Sequence, residues 1–464
     1  MTAAAGASDS SGYLNGARLL AAGKLQTQLR LPPELWPPSA ADQRVFTPLG
    51  FVTSPQPTHM IPAYATGLPL HFAAAAKILG WSIGPRVIEL FAAAAAVWLC
   101  YLVGREPGLP ASLAGAGATV LAVCPIFLFT SIQALSDTLA TTWCLAAFYC
   151  ALRARQSTGW AAACGAALSI AVLVRLTNLF LVPALLVLLG LDWRRLIRFA
   201  LAGVPAAAWL AFYNRHQFGG VLATGYGSVA GDFTPGNGVP TLIHFAKWLA
   251  LLLPAILLIL PVAALAGRST RTRELLALAI AFCAIAGFYL FYDISQQVWW
   301  CLRYILPVVP FLIVAGLLGV EALARGPAAR GRRGFRPLAA IVIAGWAVCG
   351  SLCWTNQLHV LLVQRYEQTY ADASLVARER LPTGSLVAAN NFSGSIYFYT
   401  EFPVLRADIV VAEEFVRYAA IARQAGRPIC AVLFDFEEEE AFARCPGQWK
   451  RLSTHANVGY WRLE

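Results

Sequence analysis

Four aspartates and six bases lie at the margins of long apolar runs in this sequence, and their types suit one kind of chemistry. Asp9, Asp137, Asp232 and Asp293 can each take a proton from a hydroxyl. Arg175 and Arg303, with Lys77, Arg86, Arg215 and Lys247, can hold an anion. An arginine fork grips phosphate through two parallel N–H donors and stabilises charge on a departing phosphate. Together these groups fit a reaction that activates a hydroxyl and expels a phosphate at a membrane face. An ionisable side chain there is costly unless solvated or paired, which marks it as functional. Taken singly each has a plainer role. A base can snorkel to the interface, and Asp137, directly after Ser136, can cap its helix.

The elements that must position them follow from composition. Hydrophobic residues make up 58% of the 464 positions and charged residues 13%, where a soluble domain is about a quarter charged. Lipid must therefore be part of the solvent, and the fold class is an α-helical polytopic membrane protein. The net charge of +11 does not indicate nucleic acid. The Lys and Arg residues sit in short clusters between apolar runs, not in one basic stripe interleaved with aromatics. The 11 cysteines show no metal-ligand spacing, and most lie in apolar runs as small core residues.

Apolar segments long enough to cross a bilayer, or nearly so, occur at about 85–105, 108–130, 137–152, 197–214, 244–266, 273–293, 304–323 and 337–357. The stretch 158–192, broken at Arg175-Leu-Thr-Asn, suits a hairpin of two short helices and brings the expected number of transmembrane helices to about ten. Under that count Arg105, Arg153/Arg155, Arg194/Arg195/Arg198, Arg268/Arg271/Arg273 and Arg325/Arg330/Arg332/Arg333/Arg336 all fall on one side, the cytoplasmic side by the positive-inside rule. Trp248, Trp299 and Trp300 are interfacial anchors opposite. Residues 1–84 then form an extracytoplasmic first loop, 85–357 a transmembrane helical domain, and 358–464 a soluble extracytoplasmic α/β domain. In that tail, 384–389 and 429–434 predict buried strands, 437–444 a polar helix and 448–464 a strand pair. Cys430 and Cys445 are either bridged there or two small unpaired residues. In the first loop, Tyr13–Lys24 and Ile61–Leu79 predict amphipathic helices lying along the membrane surface.

Six segments carry a family resemblance, in order along nearly the whole chain. Asp9-Ser-Ser-Gly-Tyr-Leu-Asn-Gly-Ala-Arg resembles the start of the first outer loop of the C-type membrane glycosyltransferases, the superfamily of aminoarabinose, protein mannosyl and related bacterial transferases. His59-Met-Ile-Pro-Ala-Tyr-Ala-Thr-Gly is similar to their proline-tyrosine-glycine segment, Ser136-Asp137-Thr-Leu-Ala to their second-loop acid, and Leu173-Val-Arg175-Leu-Thr-Asn to their helix-ending arginine. Phe218-Gly-Gly-Val-Leu-Ala-Thr-Gly-Tyr226-Gly resembles a mid-chain loop and Arg303-Tyr304-Ile-Leu-Pro-Val-Val-Pro a late arginine-tyrosine-proline segment.

The resemblance implies inverting transfer of a sugar from a polyprenyl-phosphate donor to a glycan, lipid or protein acceptor, outside the cell membrane. Position by position it makes Asp9 the general base and Asp137 a supporting acid that orients the acceptor or a divalent cation. It makes Arg303 and Tyr304 contacts to the donor phosphate, with Tyr64 and Arg175 in the substrate-binding set. In the family a span precedes the first-loop acid, so an additional helix upstream of Met1 is expected. The competing readings are a truncated inactive paralogue, a non-catalytic membrane scaffold and a transporter. No convincing internal repeat supports the last.

Overall fold

The computed structural model describes residues 2–464 except 57, 228, 267–270 and 327–333. Arg268, Arg330, Arg332 and Arg333 therefore lie outside the described residues. The chain divides into two compact units: Val87–Leu210 with Ser228–Val363, and Thr2–Arg86 with Ala211–Gly227 and Gln364–Glu464.

The first unit is helical, because in lipid only a helix satisfies the backbone of a single segment. Five helices are long and apolar enough to span a bilayer: Gly84–Arg105, Trp193–Phe218, Thr272–Tyr289, Trp299–Arg325 and Phe335–Gln357. Two further helix pairs are bent, Ala111–Val123 with Pro125–Ser131 by 58° and Pro235–Leu252 with Ile256–Val262 by 111°. Counting each pair as one span gives seven, so the expected ten are not confirmed. The breaks have a local cause. Pro125 and Pro254 cannot continue a helix and drive the residue before them out of helical backbone; Cys124 has ψ 123° and Leu253 ψ 159°. The stretch around Arg175 does form two helices, Thr158–Val174 and Leu176–Leu189, each short for a bilayer. Ser136–Arg153 is also a helix, its apolar run interrupted by buried Thr138, Thr141 and Thr142.

The core of this unit runs along the Val309–Arg325 helix. Gly316 and Gly319 let it lie directly on the Ile256–Ala266 helix: a methyl at Gly316 would stand 2.5 Å from the Leu257 carbonyl oxygen, and one at Gly319 would overlap that of Leu260. Near its end the buried Glu321 accepts from Arg325 and Arg336, each at 2.8 Å, joining it to the Phe335–Gln357 helix.

The second unit has two sheets. The smaller is antiparallel, with β3 (His59–Pro62) between β1 (Thr27–Gln28) and β2 (Phe51–Thr53). The larger contains β4 (Leu386–Ala389), β5 (Val404–Arg406), β6 (Ile429–Phe434), β7 (Trp449–His455) and β8 (Val458–Leu463), in the order β5-β4-β6-β8-β7. Strands β5, β4 and β6 are parallel, with Val387 opposite Val404 and Leu386 opposite Ile429; β8 returns antiparallel, with Val432 opposite Tyr460. Every residue of β4 and β6 is buried, as a strand covered on both faces requires. Cys430 packs in the core on one side of this sheet and Cys445 in the core on the other, so both are free thiols.

One expectation for the first loop needs correction. The helix there runs Ser8–Ala21, and its residues Ser10–Ala17 are buried inside this unit against the Gly67–Leu79 and Ser393–Tyr399 helices. Its small residues serve packing, not a membrane surface. Asn15 donates to the Gly394 carbonyl at 3.3 Å, and Arg18 donates to the Phe398 carbonyl at 2.6 Å while stacking on its ring.

Candidate functional site

In the helical unit, three side chains far apart in sequence converge. Asp137 enters from the first turn of the Ser136–Arg153 helix, and its side chain is 3% exposed. Arg175 leaves the Thr158–Val174 helix at the break, where extended backbone (φ −147°, ψ 118°) turns it out of the helical path. It forms an ion pair with Asp137 Oδ1. Arg303, on the Trp299–Val308 turn of 3-10 helix, places its guanidinium 4.0 Å from Asp137 Oδ2, and its carbonyl accepts from Arg175 at 3.4 Å. Both arginine side chains are only 13% exposed. Two guanidinium groups thus face one carboxylate, so these three buried side chains together carry more positive than negative charge.

Aromatic rings wall this centre. The Tyr304 ring lies 5.8 Å from the Arg175 guanidinium and 5.5 Å from that of Arg303, which is also 5.3 Å from the Trp300 ring. Tyr289 stacks on Tyr304 at 5.1 Å, and Tyr292 meets its edge at 5.5 Å. The Thr177 and Tyr289 hydroxyls are 3.2 Å apart, tying the break at Arg175 to this wall. Trp248 and Trp299, expected as anchors, lie 6.3 Å apart.

Sequence reasoning missed Glu89. It is 1% exposed on the Gly84–Arg105 helix, and neither carboxyl oxygen has a hydrogen-bond partner among the described residues. One turn along, the Ala92 carbonyl accepts from the Thr142 hydroxyl at 2.7 Å, which pins this helix to the one carrying Asp137. A single acid inside an apolar run was the available signal.

In the other unit Asp9 stands in the first turn of its helix, half-buried. The Tyr64 phenol bonds to its carboxylate and shares a 2.7 Å hydrogen bond with the Ser8 hydroxyl. Burial, and then the adjacent Asp9 charge, push the Tyr64 phenol well above its ordinary value, so it remains a proton donor to that carboxylate. Tyr13 packs on Tyr64 at 4.8 Å and Tyr226 meets it edge-on at 6.2 Å. What brings Tyr64 to Asp9 is a backbone crossing of Gly12 over Gly50, the latter at φ +87°. A methyl at Gly12 would overlap the Tyr64 ring and stand 2.9 Å from the Gly50 Cα. Gly12→Ala is therefore expected to cost about 1–3 kcal/mol by overpacking and to displace Tyr64. A thermal unfolding midpoint within error of wild type would show that the crossing yields freely.

Each of the six residues expected from sequence thus has a definite place: Asp137, Arg175, Arg303 and Tyr304 together in one unit, Asp9 and Tyr64 together in the other. Asp137 is occupied by guanidinium groups. Among the described residues no group of three or more His, Cys, Asp or Glu side chains is placed to hold a metal ion.

No protein-family model and no curated protein sequence matches the chain. Solved structures do. ArnT from Cupriavidus metallidurans, bound to undecaprenyl phosphate, is similar with a TM-score of 0.57 and 14% identity, over 97% of this chain and 93% of that one. The same protein in the apo state gives 0.56 and 16%, over 98% and 93%. The arabinofuranosyltransferase AftD from mycobacteria gives 0.51 and 14%, over 97% of this chain and 39% of that one.

Proposed function

From the fold of the C-type membrane glycosyltransferases, which this chain has, we propose that the protein moves a sugar from a polyprenyl-phosphate donor to an acceptor hydroxyl or similar group on the extracytoplasmic face. The observation that carries this reading is the buried pair Arg175 and Arg303, oriented by Asp137 and walled by Tyr304. Guanidinium groups in a water-poor, pre-set site stabilise a phosphate leaving group far better than they do in water. That one solved neighbour holds undecaprenyl phosphate agrees with this assignment.

Asp9 takes the acceptor proton as the acceptor oxygen attacks the anomeric carbon. The bond from that carbon to the phosphate oxygen breaks on the opposite side, and polyprenyl phosphate departs with the electron pair, its charge met by the arginines. Attack opposite the leaving group inverts the anomeric centre. The Tyr64 hydrogen bond orients the base, and Asp137 orients the arginines instead of activating the acceptor. The acceptor is a glycan, lipid or protein.

Membranes containing the protein, given polyprenyl-phosphate donors labelled in the sugar, test this. Label should leave one donor for an acceptor. Retention of label on every donor, by protein that is folded and inserted, would overturn the reading. Arg303→Lys should weaken donor binding about tenfold or more, because an ammonium cannot reproduce the planar fork. Wild-type donor affinity in that variant would return Arg303 to interfacial snorkelling.

The reading also fixes sidedness. His455→Cys, at the exposed last position of β7, should react with an impermeant thiol reagent in intact cells. Protection there, with reaction only after lysis, would place the tail in the cytoplasm and overturn the topology.

A further inference from the structure

In the larger sheet the first strand, β4, lies between the second, β5, and the third, β6. The chain leaves β4 for one neighbour and later returns to the other. In open parallel sheets such a switch of direction opens a crevice beyond the carboxyl ends of the two diverging strands, and ligands bind there. A pit of about 90 Å³ lies at this place, lined by Asn390, Ala407, Asp408, Phe436, Glu437 and Glu440. Asn390 directly follows β4, Ala407 and Asp408 follow β5, and Phe436 and Glu437 follow β6.

The lining selects a ligand. Asp408, Glu437 and Glu440 contribute three acids and no lining residue is a base, so the pit repels phosphates and other anions. Nor are the carboxylates set to close on a metal. Asp408 is gripped by the Arg406 fork, one contact at 2.7 Å. Glu437 accepts from the Asn391 amide side chain at 2.7 Å and from the Phe434 N–H at 2.8 Å, while Glu440 pairs with Arg444. Burial raises the Glu437 carboxyl above its usual range, against the lowering effect of the N–H groups that it accepts from. Among the described residues the Asn390 side chain has no hydrogen bond, leaving an amide donor and an acceptor for a ligand.

Phe436 supplies the apolar half. It is 73% exposed, the most exposed of the large aromatic side chains described. One face is stacked on Phe434 at 5.2 Å and 13°, and Phe434 is itself fixed against Phe392 and Tyr370. The stack places the ring beside the hydrogen-bonding groups of the pit, which lowers the ordering cost of packing a ligand on it. A neutral ring carrying hydroxyls on its edge and C–H bonds on its face matches both halves. Its hydroxyls bond to Asn390 and the carboxylates, and its C–H face packs on the negative face of Phe436.

We propose that this pit is a saccharide-binding subsite in the soluble part of the chain, taking neutral sugar rings of a glycan. It does not depend on the transfer reading, and its test reads binding with no donor present. Full-length protein in lipid nanodiscs would be titrated with tetrasaccharides of arabinose, mannose, galactose and glucose, followed by saturation-transfer NMR and calorimetry. Saturable binding of at least one is expected, with Phe436→Ala weakening it tenfold or more, Phe436→Trp retaining it and Asn390→Ala also weakening it. No saturable binding to any of the four, equal binding by Phe436→Ala, displacement by inorganic phosphate, or loss of binding on adding a chelator would each overturn the proposal. Because Phe436 is exposed, unchanged unfolding midpoints in its variants would tie a loss to the pit itself.

Discussion

Asp9→Asn is expected to give a folded protein that transfers labelled sugar at about one hundredth to one ten-thousandth of the wild-type rate, the usual contribution of a general base. The substitution keeps size and shape, and the amide oxygen can still accept from the Tyr64 phenol. What is lost is the ability to carry away a proton. Donor affinity should stay near wild type, since the assigned phosphate contacts are Arg175 and Arg303. Single-turnover label transfer with saturating donor separates the two quantities. A rate above about a tenth of wild type would remove Asp9 from the role and bring forward the scaffold reading, in which the first-loop acid is dispensable.

Asp137→Ala should act on stability first. Its carboxylate faces two guanidinium groups, and all three side chains are nearly buried. Removing one partner of a buried pair leaves uncompensated charge and costs about 3–5 kcal/mol. The plainer reading of Asp137, as a helix cap, predicts about 0.5–2 kcal/mol. It also lacks a bond to account for it: the helix is preceded by Leu135 at the cap position, with no side-chain cap hydrogen bond. Asp137→Asn keeps an acceptor for Arg175 and should lose less. Unfolding midpoints in matched nanodiscs measure both, and a loss below about 1 kcal/mol for the alanine variant would sink the charge-centre account.

How much of this was legible beforehand depends on the range of the interaction. The long helices were, because bilayer thickness imposes run length residue by residue. The proline breaks at Pro125 and Pro254 were not weighed in the count of ten, although the steric rule is local. Strands β4 and β6 were visible as buried runs and β7 with β8 as a strand pair, whereas β1, of two residues, exists only through its pairing with β3. The site residues were named from motifs, but their partnership was not. Arg175 and Asp137 stand 38 positions apart and Arg175 and Arg303 128, and no local pattern says which carboxylate a distant arginine will meet. The Gly12–Gly50 crossing was hidden for the same reason. Cys430 and Cys445 were left open between a bridge and two thiols, a choice decided only by the sheet that separates them.

The interleaved construction of the second unit also sets a clock on biosynthesis. Residues Thr2–Arg86 share a core with Gln364–Glu464, and Arg18 of the Asp9 helix finds its carbonyl partner 380 positions later. At translation rates of about 5–20 residues per second that partner emerges roughly 20 to 75 s after the helix does. Strand β8, which sits inside the larger sheet between β6 and β7, is made later still. During that interval residues Thr2–Arg86 cannot complete their core, and the part of the Ser10–Ala17 face that the Ser393–Tyr399 helix covers stays open to proteases and to wrong partners. The Asp9 region is thus made well before the distant segment it packs against, so pulse-chase proteolysis should find it cleavable until that segment has emerged.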